Sequence, residues 1–218
     1  FKINHWHQTF ENIPGGDFID YVPIDEHRGV IVLGDVMGKK WKAWYFAVAY
    51  AGYVRSAVRF ALNANTEILP STILESVNSS VFHDERIAEV FITLSILVLN
   101  SNSKVITYSG AGDLPLIFKG KETKFINSRG LLLGFSSVPE YKDYSIETNS
   151  NDELFLFTDG IIESRNPAGE MYGKDRLLKQ IKNLNSTEDS LEQIKKTFSD
   201  FTQNKFEDDV SIISIKTK

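Results

Sequence analysis

The chain has 218 residues, with 24 Lys and Arg against 29 Asp and Glu, a net charge of -5 and no cysteine. That length suits one domain whose core needs no staple, and the lack of cysteine excludes disulfides and thiolate metal sites. The cations are dispersed and form no stripe that would track a phosphate backbone, which argues against nucleic acid, and no apolar run approaches the roughly 20 residues of a membrane span.

A single domain over residues 1–218 is therefore expected, cytoplasmic and without membrane contact of its own. The chain opens on Phe1, with no Met and no charged stretch leading into an apolar signal core. It reads as a domain excised from a longer protein, with an upstream sensor or receiver domain as its regulator.

In chain order, residues 10–21 read as an entry strand carrying a glycine turn, and Gly29 to Leu33 as a short, buried, β-branched strand with Asp35 coming off its end. From Trp41 to Leu62, apolar residues recur at Phe46, Ala49, Tyr50, Tyr53, Val54, Ala57, Val58 and Ala61, an i, i+3, i+4 spacing that predicts a long helix. A second helix is predicted from Pro70, with Ile73, Leu74, Val77 and Val81 on one face and the proline in its first turn. Val90 to Leu99, Lys104 to Ser109, Pro115 to Lys119 and Thr123 to Ile126 read as an antiparallel meander, broken by turn residues at 100–103 and 120–121. Strands at Tyr141 to Glu147 and Glu153 to Phe157, helices at Gly173 to Leu184 and Leu191 to Thr202, and a last strand at Val210 to Ile215 complete the pattern. Helices in two pairs around a block of strands favour two sheets faced by helices over a doubly wound parallel sheet.

Four aspartates sit in short signatures along this pattern: Gly-Gly-Asp at Asp17, Gly-Asp-Val-Met-Gly at Asp35, Thr-Asp-Gly at Asp159, and the pair Asp208-Asp209. Magnesium and manganese take carboxylate, carbonyl and water oxygens, so aspartates at several strand ends can hold two ions. Two such ions activate a water and clamp a phosphate ester without a protein nucleophile. The chain has no cysteine and no Gly-x-Ser-x-Gly elbow, so that route suits its composition. Glycines at 15, 16, 34, 38 and 160 let the backbone come close to an ion, and the Val36 carbonyl is a candidate ligand. Singly, each motif is an ordinary turn signal. The ordered set is the specific one.

The blocks Pro-Gly-Gly-Asp-Phe-Ile-Asp (14–20), Val-Leu-Gly-Asp-Val-Met-Gly-Lys (32–39), Ser-Gly-Ala-Gly-Asp-Leu-Pro (109–115), Phe-Thr-Asp-Gly-Ile-Ile-Glu-Ser-Arg-Asn (157–166) and Glu-Asp-Asp-Val-Ser (207–211) closely resemble the SpoIIE/RsbU branch of the metal-dependent serine/threonine phosphatases, the phosphatase-2C superfamily. The likeness spans essentially the whole chain. It implies an α+β fold, a four-layer α/β/β/α sandwich with two central, mainly antiparallel sheets and helices on both outer faces. It also implies two Mn2+ or Mg2+ ions, with Asp35 bridging them, Asp17 and the Val36 carbonyl on one, and Asp159 and Asp208 on the other. Asp209 is then a neighbour; the sequence by itself permits either member of the pair to point inward. The implied reaction is hydrolysis of phosphoserine or phosphothreonine on a protein, usually an anti-anti-sigma (STAS) factor, by a metal-activated water. A homodimer through the first helices and control by an upstream regulatory domain are the other implied partnerships.

Five features depart from the family pattern or invite over-reading. Met37 replaces the usual Ser, and Lys40-Trp41 follows Lys39 where the family has glycine, a change placed to affect helix entry, regulation or substrate approach. Asp113 and Leu114 occupy a loop that usually reads Ala-Gly-His-Pro-Pro, and turn preference makes Asp113 a loop residue before a ligand. His5 and His7 flank Trp6, but two histidines on one face of an exposed strand are commoner than a metal site. Trp41, Trp44, Tyr45, Tyr50 and Tyr53 mark either a partner groove or a core helix with an amphipathic rim. Lys39, Lys40 and Arg165 are the cations placed to attract a phosphorylated substrate. Two rival readings are a catalytically silent binding module, which should have lost metal aspartates, and a small-molecule phosphate ester hydrolase, which should have a roomy pocket.

Overall fold

The computed structural model describes the chain apart from residues 39, 65–66, 85–89, 113, 129 and 186. Among the described residues the apolar runs become ten strands in two antiparallel five-stranded sheets, accompanied by five helices. This is the expected α+β class. The chain divides into two compact units, each assembled from separate stretches of sequence.

One unit takes Gly15–Leu114 and Asn127–Thr148. Its sheet has the order β2-β3-β4-β5-β8, from β2 (Phe18–Pro23), β3 (Arg28–Val36), β4 (Ile92–Asn100), β5 (Val105–Ala111) and β8 (Tyr144–Glu147). Val30 through Gly34 are buried without a break, so β3 lies covered on both faces and reads as an unbroken apolar run. The helices α1 (Lys40–Asn63) and α2 (Pro70–Phe82) pack on this sheet through Ala47, Tyr50, Val54, Val58, Leu74 and Val77, against Val30, Val32, Val36 and Ile92. Burying each large side chain contributes roughly 1.5–3 kcal/mol. Pro70 starts α2 as its spacing predicts, and the Asp143 carboxylate accepts from the Ser71 amide (2.9 Å) and hydroxyl (2.5 Å), satisfying donors of the first turn. On the same helix the buried Asn78 donates to the Ser136 carbonyl and accepts from the Gly134 amide, both at 2.9 Å.

The other unit takes Phe1–Pro14, Pro115–Ile126 and Asn149–Lys218. Its sheet has the order β1-β10-β9-β6-β7, from β1 (Lys2–Gln8), β6 (Leu116–Lys119), β7 (Thr123–Ile126), β9 (Glu153–Phe157) and β10 (Val210–Lys216). Helices α4 (Lys174–Lys182) and α5 (Ser190–Thr202) cover it through Leu177, Ile181, Ile194 and Phe198, with the short α3 (Asp159–Glu163) adding Ile161. The Asp189 carboxylate caps α5 by accepting from the amides of Leu191 (3.0 Å) and Glu192 (3.3 Å). Among the described residues no helix is long and apolar enough to cross a membrane.

Several expectations need correction. Residues 10–21 do not form one strand: Phe10–Asn12 is a 3-10 turn with Glu11 (φ 53°) and Asn12 (φ 56°) left-handed, and the strand begins only at Phe18. The run from β4 to β7 is not one meander, since β4 and β5 belong to one sheet and β6 and β7 to the other. Asp35 does not come off the end of β3 but is its penultimate residue, paired with Thr93 on β4.

Candidate functional site

In the unit built on β2 and β3, antiparallel pairing sets Phe18 against Gly34. Asp17 immediately precedes Phe18 and Asp35 immediately follows Gly34, so both lie at this end of the ladder. The Val36 amide donates to the Gly16 carbonyl (3.3 Å), which ties the end of β3 to the glycine turn before β2. A methyl group on Gly16 would overlap the Val36 carbonyl oxygen, so only glycine lets this carbonyl lie so close to the turn carrying Asp17. Asp17 is 8 % exposed and Asp35 half-buried. Two carboxylates and a carbonyl are thereby gathered at one sheet end.

In the other unit, β9 ends at Phe157 and the chain turns through Thr158 into α3, whose first residue is Asp159. Thr158 is fully buried; its amide donates to the Ser211 carbonyl and its Oγ1 accepts from the Ser211 amide, both at 3.1 Å. This double link fixes the exit of β9 beside the entry of β10. A methyl on Gly160 would overlap the Asp209 carbonyl oxygen, so α3 can begin here only with glycine at its second position. Asp159 and Asp208 are exposed, whereas Asp209 is 6 % exposed. The Asp209 Oδ1 accepts from the Phe10 amide at 2.8 Å, and the Asp209 amide donates to Asp208 Oδ1 at 2.9 Å.

The four expected aspartates thus fall as two pairs, one in each unit. Every donor in the set is an oxygen, the chemistry of a hard divalent cation that keeps several waters. Among the described residues no group of three or more His, Asp or Glu side chains is arranged to hold a metal ion, so any ion here would depend on carbonyl and water oxygens as well as carboxylates. The Val36 carbonyl above Gly16 is such a donor, and the residues present fit magnesium or manganese.

Other candidates fare differently. Lys39 and Asp113 lie outside the described residues. The Met37 side chain is exposed while its amide donates to the Phe91 carbonyl at 2.9 Å, so the departure from Ser alters surface and leaves the backbone bond intact. Lys40 opens α1 with a left-handed φ of 59°. The α1 aromatics split: Tyr50 is buried with its hydroxyl on the Val90 carbonyl (3.0 Å), Tyr53 reaches Asp84 (2.9 Å), and Trp41, Trp44 and Tyr45 are exposed. His5 and His7 alternate on β1, and His7 Nδ1 meets Ser211 Oγ at 2.8 Å. Although one side of His7 is open to solvent, packing on the other lowers its pKa below 6.5, with Asp209 pulling upward and His5 adding to the lowering. Sequence reasoning missed Thr158 and Ser211 as the lock between β9 and β10, and the only signal for either was its place beside a candidate aspartate.

The family model described as Stage II sporulation protein E (SpoIIE) matches residues 25–218. The chain belongs to the SpoIIE family. The matched stretch includes Asp35, Asp159 and Asp208 and begins after Asp17. The phosphoserine phosphatase RsbU of Bacillus subtilis (strain 168) is 27% identical over 210 residues, covering 93% of this chain and 59% of that protein, so the chain spans about three fifths of this relative. Among solved structures, the SiaA-PP2C domain of Pseudomonas aeruginosa superposes with a TM-score of 0.81 at 16% identity, covering 99% of this chain and 86% of that one. RsbX in complex with magnesium superposes with a TM-score of 0.68 at 18% identity, covering 97% and 92%. The fold of this SpoIIE-family chain is PP2C-like.

Proposed function

We propose that this SpoIIE-family domain is a metal-dependent serine/threonine protein phosphatase that removes phosphate from phosphoserine or phosphothreonine of a signalling protein, with a STAS-domain factor as substrate. The observation that carries this reading is the Val36 carbonyl lying against Gly16, at the end of the β2–β3 ladder where Asp17 and Asp35 also lie, in a family whose relative RsbU is a phosphoserine phosphatase. In this reading Asp17, Asp35 and the Val36 carbonyl are donors to one divalent ion, and Asp159 and Asp208 to a second. Magnesium in the RsbX structure supports that choice of metal, and manganese shares its preference for oxygen. When bound, such ions lower the pKa of water and neutralise charge on a phosphoryl group.

The chain's own residues orient these donors. The β2–β3 ladder ends beside Asp17 and Asp35, Gly16 admits the carbonyl, and the links from Thr158 to Ser211 and from Asp209 to Phe10 hold the turns that carry Asp159 and Asp208. Asp209 is buried with its Oδ1 on the Phe10 amide whereas Asp208 is exposed, which supports Asp208 as the donor of that pair. The exposed Trp41, Trp44 and Tyr45 support a homodimer contact through the first helices, and the partial span of RsbU supports a regulatory domain elsewhere in the same protein.

The test is release of inorganic phosphate from a phosphoserine peptide by the purified chain with manganese, with and without EDTA. Manganese-dependent release that EDTA stops is expected. Release that persists in EDTA, or none with manganese, would overturn the assignment.

A further inference from the structure

The unit that carries Asp159 and Asp208 contains a cleft of about 400 Å3. One wall is the turn after α3, with Arg165 and Asn166; the other is the end of α5 and the segment entering β10, with Thr202, Gln203, Lys205 and Glu207. Both walls run directly into candidate metal donors, since Asp159 opens α3 and Asp208 follows Glu207.

The walls are built. Across the turn, Arg165 bridges Met171, the Asn166 amide donates to the Glu170 carbonyl (3.0 Å), and Asn166 Oδ1 accepts from the amides of Ala168 (3.0 Å) and Glu170 (2.9 Å). Facing it, Gln203 (φ 53°) and Asn204 (φ 58°) are left-handed, with the Asn204 amide on the Ser199 carbonyl and the Lys205 amide on the Thr202 carbonyl, both at 3.1 Å.

Charge gives the cleft its character. In a chain of net charge -5 it presents two cations and one carboxylate, Glu207. Among the described residues neither Arg165 nor Lys205 takes part in a salt bridge. Arg165 Nη1 donates to the Gly169 carbonyl at 2.7 Å, which orients the guanidinium with further N–H donors to offer. Solvated surface cations are common, but two of them lining a concavity with hydrogen-bonded walls, next to a site for a phosphorylated protein, are placed to read that protein's charge.

We propose that this cleft is a docking site for an acidic residue flanking the phosphorylated side chain of the substrate protein, its carboxylate seated between Arg165 and Lys205. The proposal rests on the phosphatase reading, deepens it to a preference for acidic flanking sequence, and assigns Arg165 and Lys205 to substrate recognition and away from metal.

Two fluorescein-labelled phosphoserine peptides, alike except for glutamate or glutamine beside the phosphoserine, test it by fluorescence anisotropy at low salt. The wild-type chain should bind the glutamate peptide about three- to tenfold more tightly, the scale of one or two exposed ion pairs. Lys205→Glu should erase the preference and Arg165→Glu/Lys205→Glu should invert it; Lys205 is exposed, so its single variant does not depend on the Arg165 turn. Equal affinity in the wild type, or a preference that survives both variants, would overturn the proposal. Phosphate release measured on the same samples with manganese reports separately on the phosphatase reading, because binding needs no turnover.

Discussion

The two ends that carry the aspartates are built on opposite plans. At the β2–β3 end the backbone does the positioning: the ladder brings the ends carrying Asp17 and Asp35 together, and a glycine lets the Val36 carbonyl close in. At the β9–β10 end side chains do it: Thr158 engages Ser211, and the buried Asp209 holds the Phe10 amide while Asp208 and Asp159 face solvent. An aspartate at the end of a buried strand is therefore not one kind of residue. Asp209 shows that such a carboxylate can be buried on a backbone amide while its neighbour faces solvent.

The sharpest way to break this comparison is at the first end. Asp35→Asn keeps the strand and its hydrogen-bonding shape but removes a charge from the donor set, so manganese-dependent phosphate release should fall by more than about 100-fold, beyond the loss seen for partners one step removed from a metal. Circular dichroism should be unchanged. Retained activity in a folded Asp35→Asn protein would contradict the account.

The next effect separates the neighbours at the second end. Asp209→Ala should lower stability by about 1–3 kcal/mol, because the Phe10 amide loses its acceptor, and denaturant melts measure this directly. Asp208→Asn, which keeps an acceptor for the Asp209 amide at an exposed position, should leave stability within about 0.5 kcal/mol while removing activity. The opposite pattern would exchange the roles of the two residues.

Gly16→Ala and Gly160→Ala probe the close approach at each end. Each added methyl meets a backbone carbonyl, which yields less easily than a flexible side chain, so each should cost about 1–3 kcal/mol. In a chain of this size that lowers Tm by about 2–4 °C per kcal/mol. An unshifted Tm in either variant would show that the end relaxes without strain.

The smallest expected effect concerns His7. Its pKa is lowered from 6.5 by burial, so folding favours the neutral ring. That contribution is complete above pH 6.5 and is lost as the pH falls through the lower folded value. Wild-type Tm should drop more between pH 7.5 and 5.5 than that of His7→Gln, and identical drops would remove His7 from the β10 network.

Much of this was legible in the residues. The β-branched run of β3, the i, i+4 faces of α1 and α2, and the helical periods of α4 and α5 announced elements that packing then confirmed, because local preference and burial agree there. Two elements gave little signal. β1 alternates Ile3, His5 and His7 with Asn4 and Trp6, neither an apolar run nor a clean alternation, and it is a strand because it pairs with β10 from Lys2↔Lys216 to Gln8↔Val210. At five residues α3 is too short to show a period. The false meander came from expecting consecutive strands to be neighbours, a rule that fails where β5 gives way to β6 in the other sheet. Between Asp208 and Asp209 the sequence offered no choice, because the group that distinguishes them is the amide of Phe10, 199 residues away.

The central claim is that these aspartates hold divalent metal, and a manganese titration followed by electron paramagnetic resonance tests it most directly, with no substrate present. The wild-type chain and Asp209→Asn should bind manganese alike, while Asp35→Asn and Asp208→Asn should each bind it more weakly or in smaller number. Equal binding by the wild type and Asp35→Asn would contradict the claim.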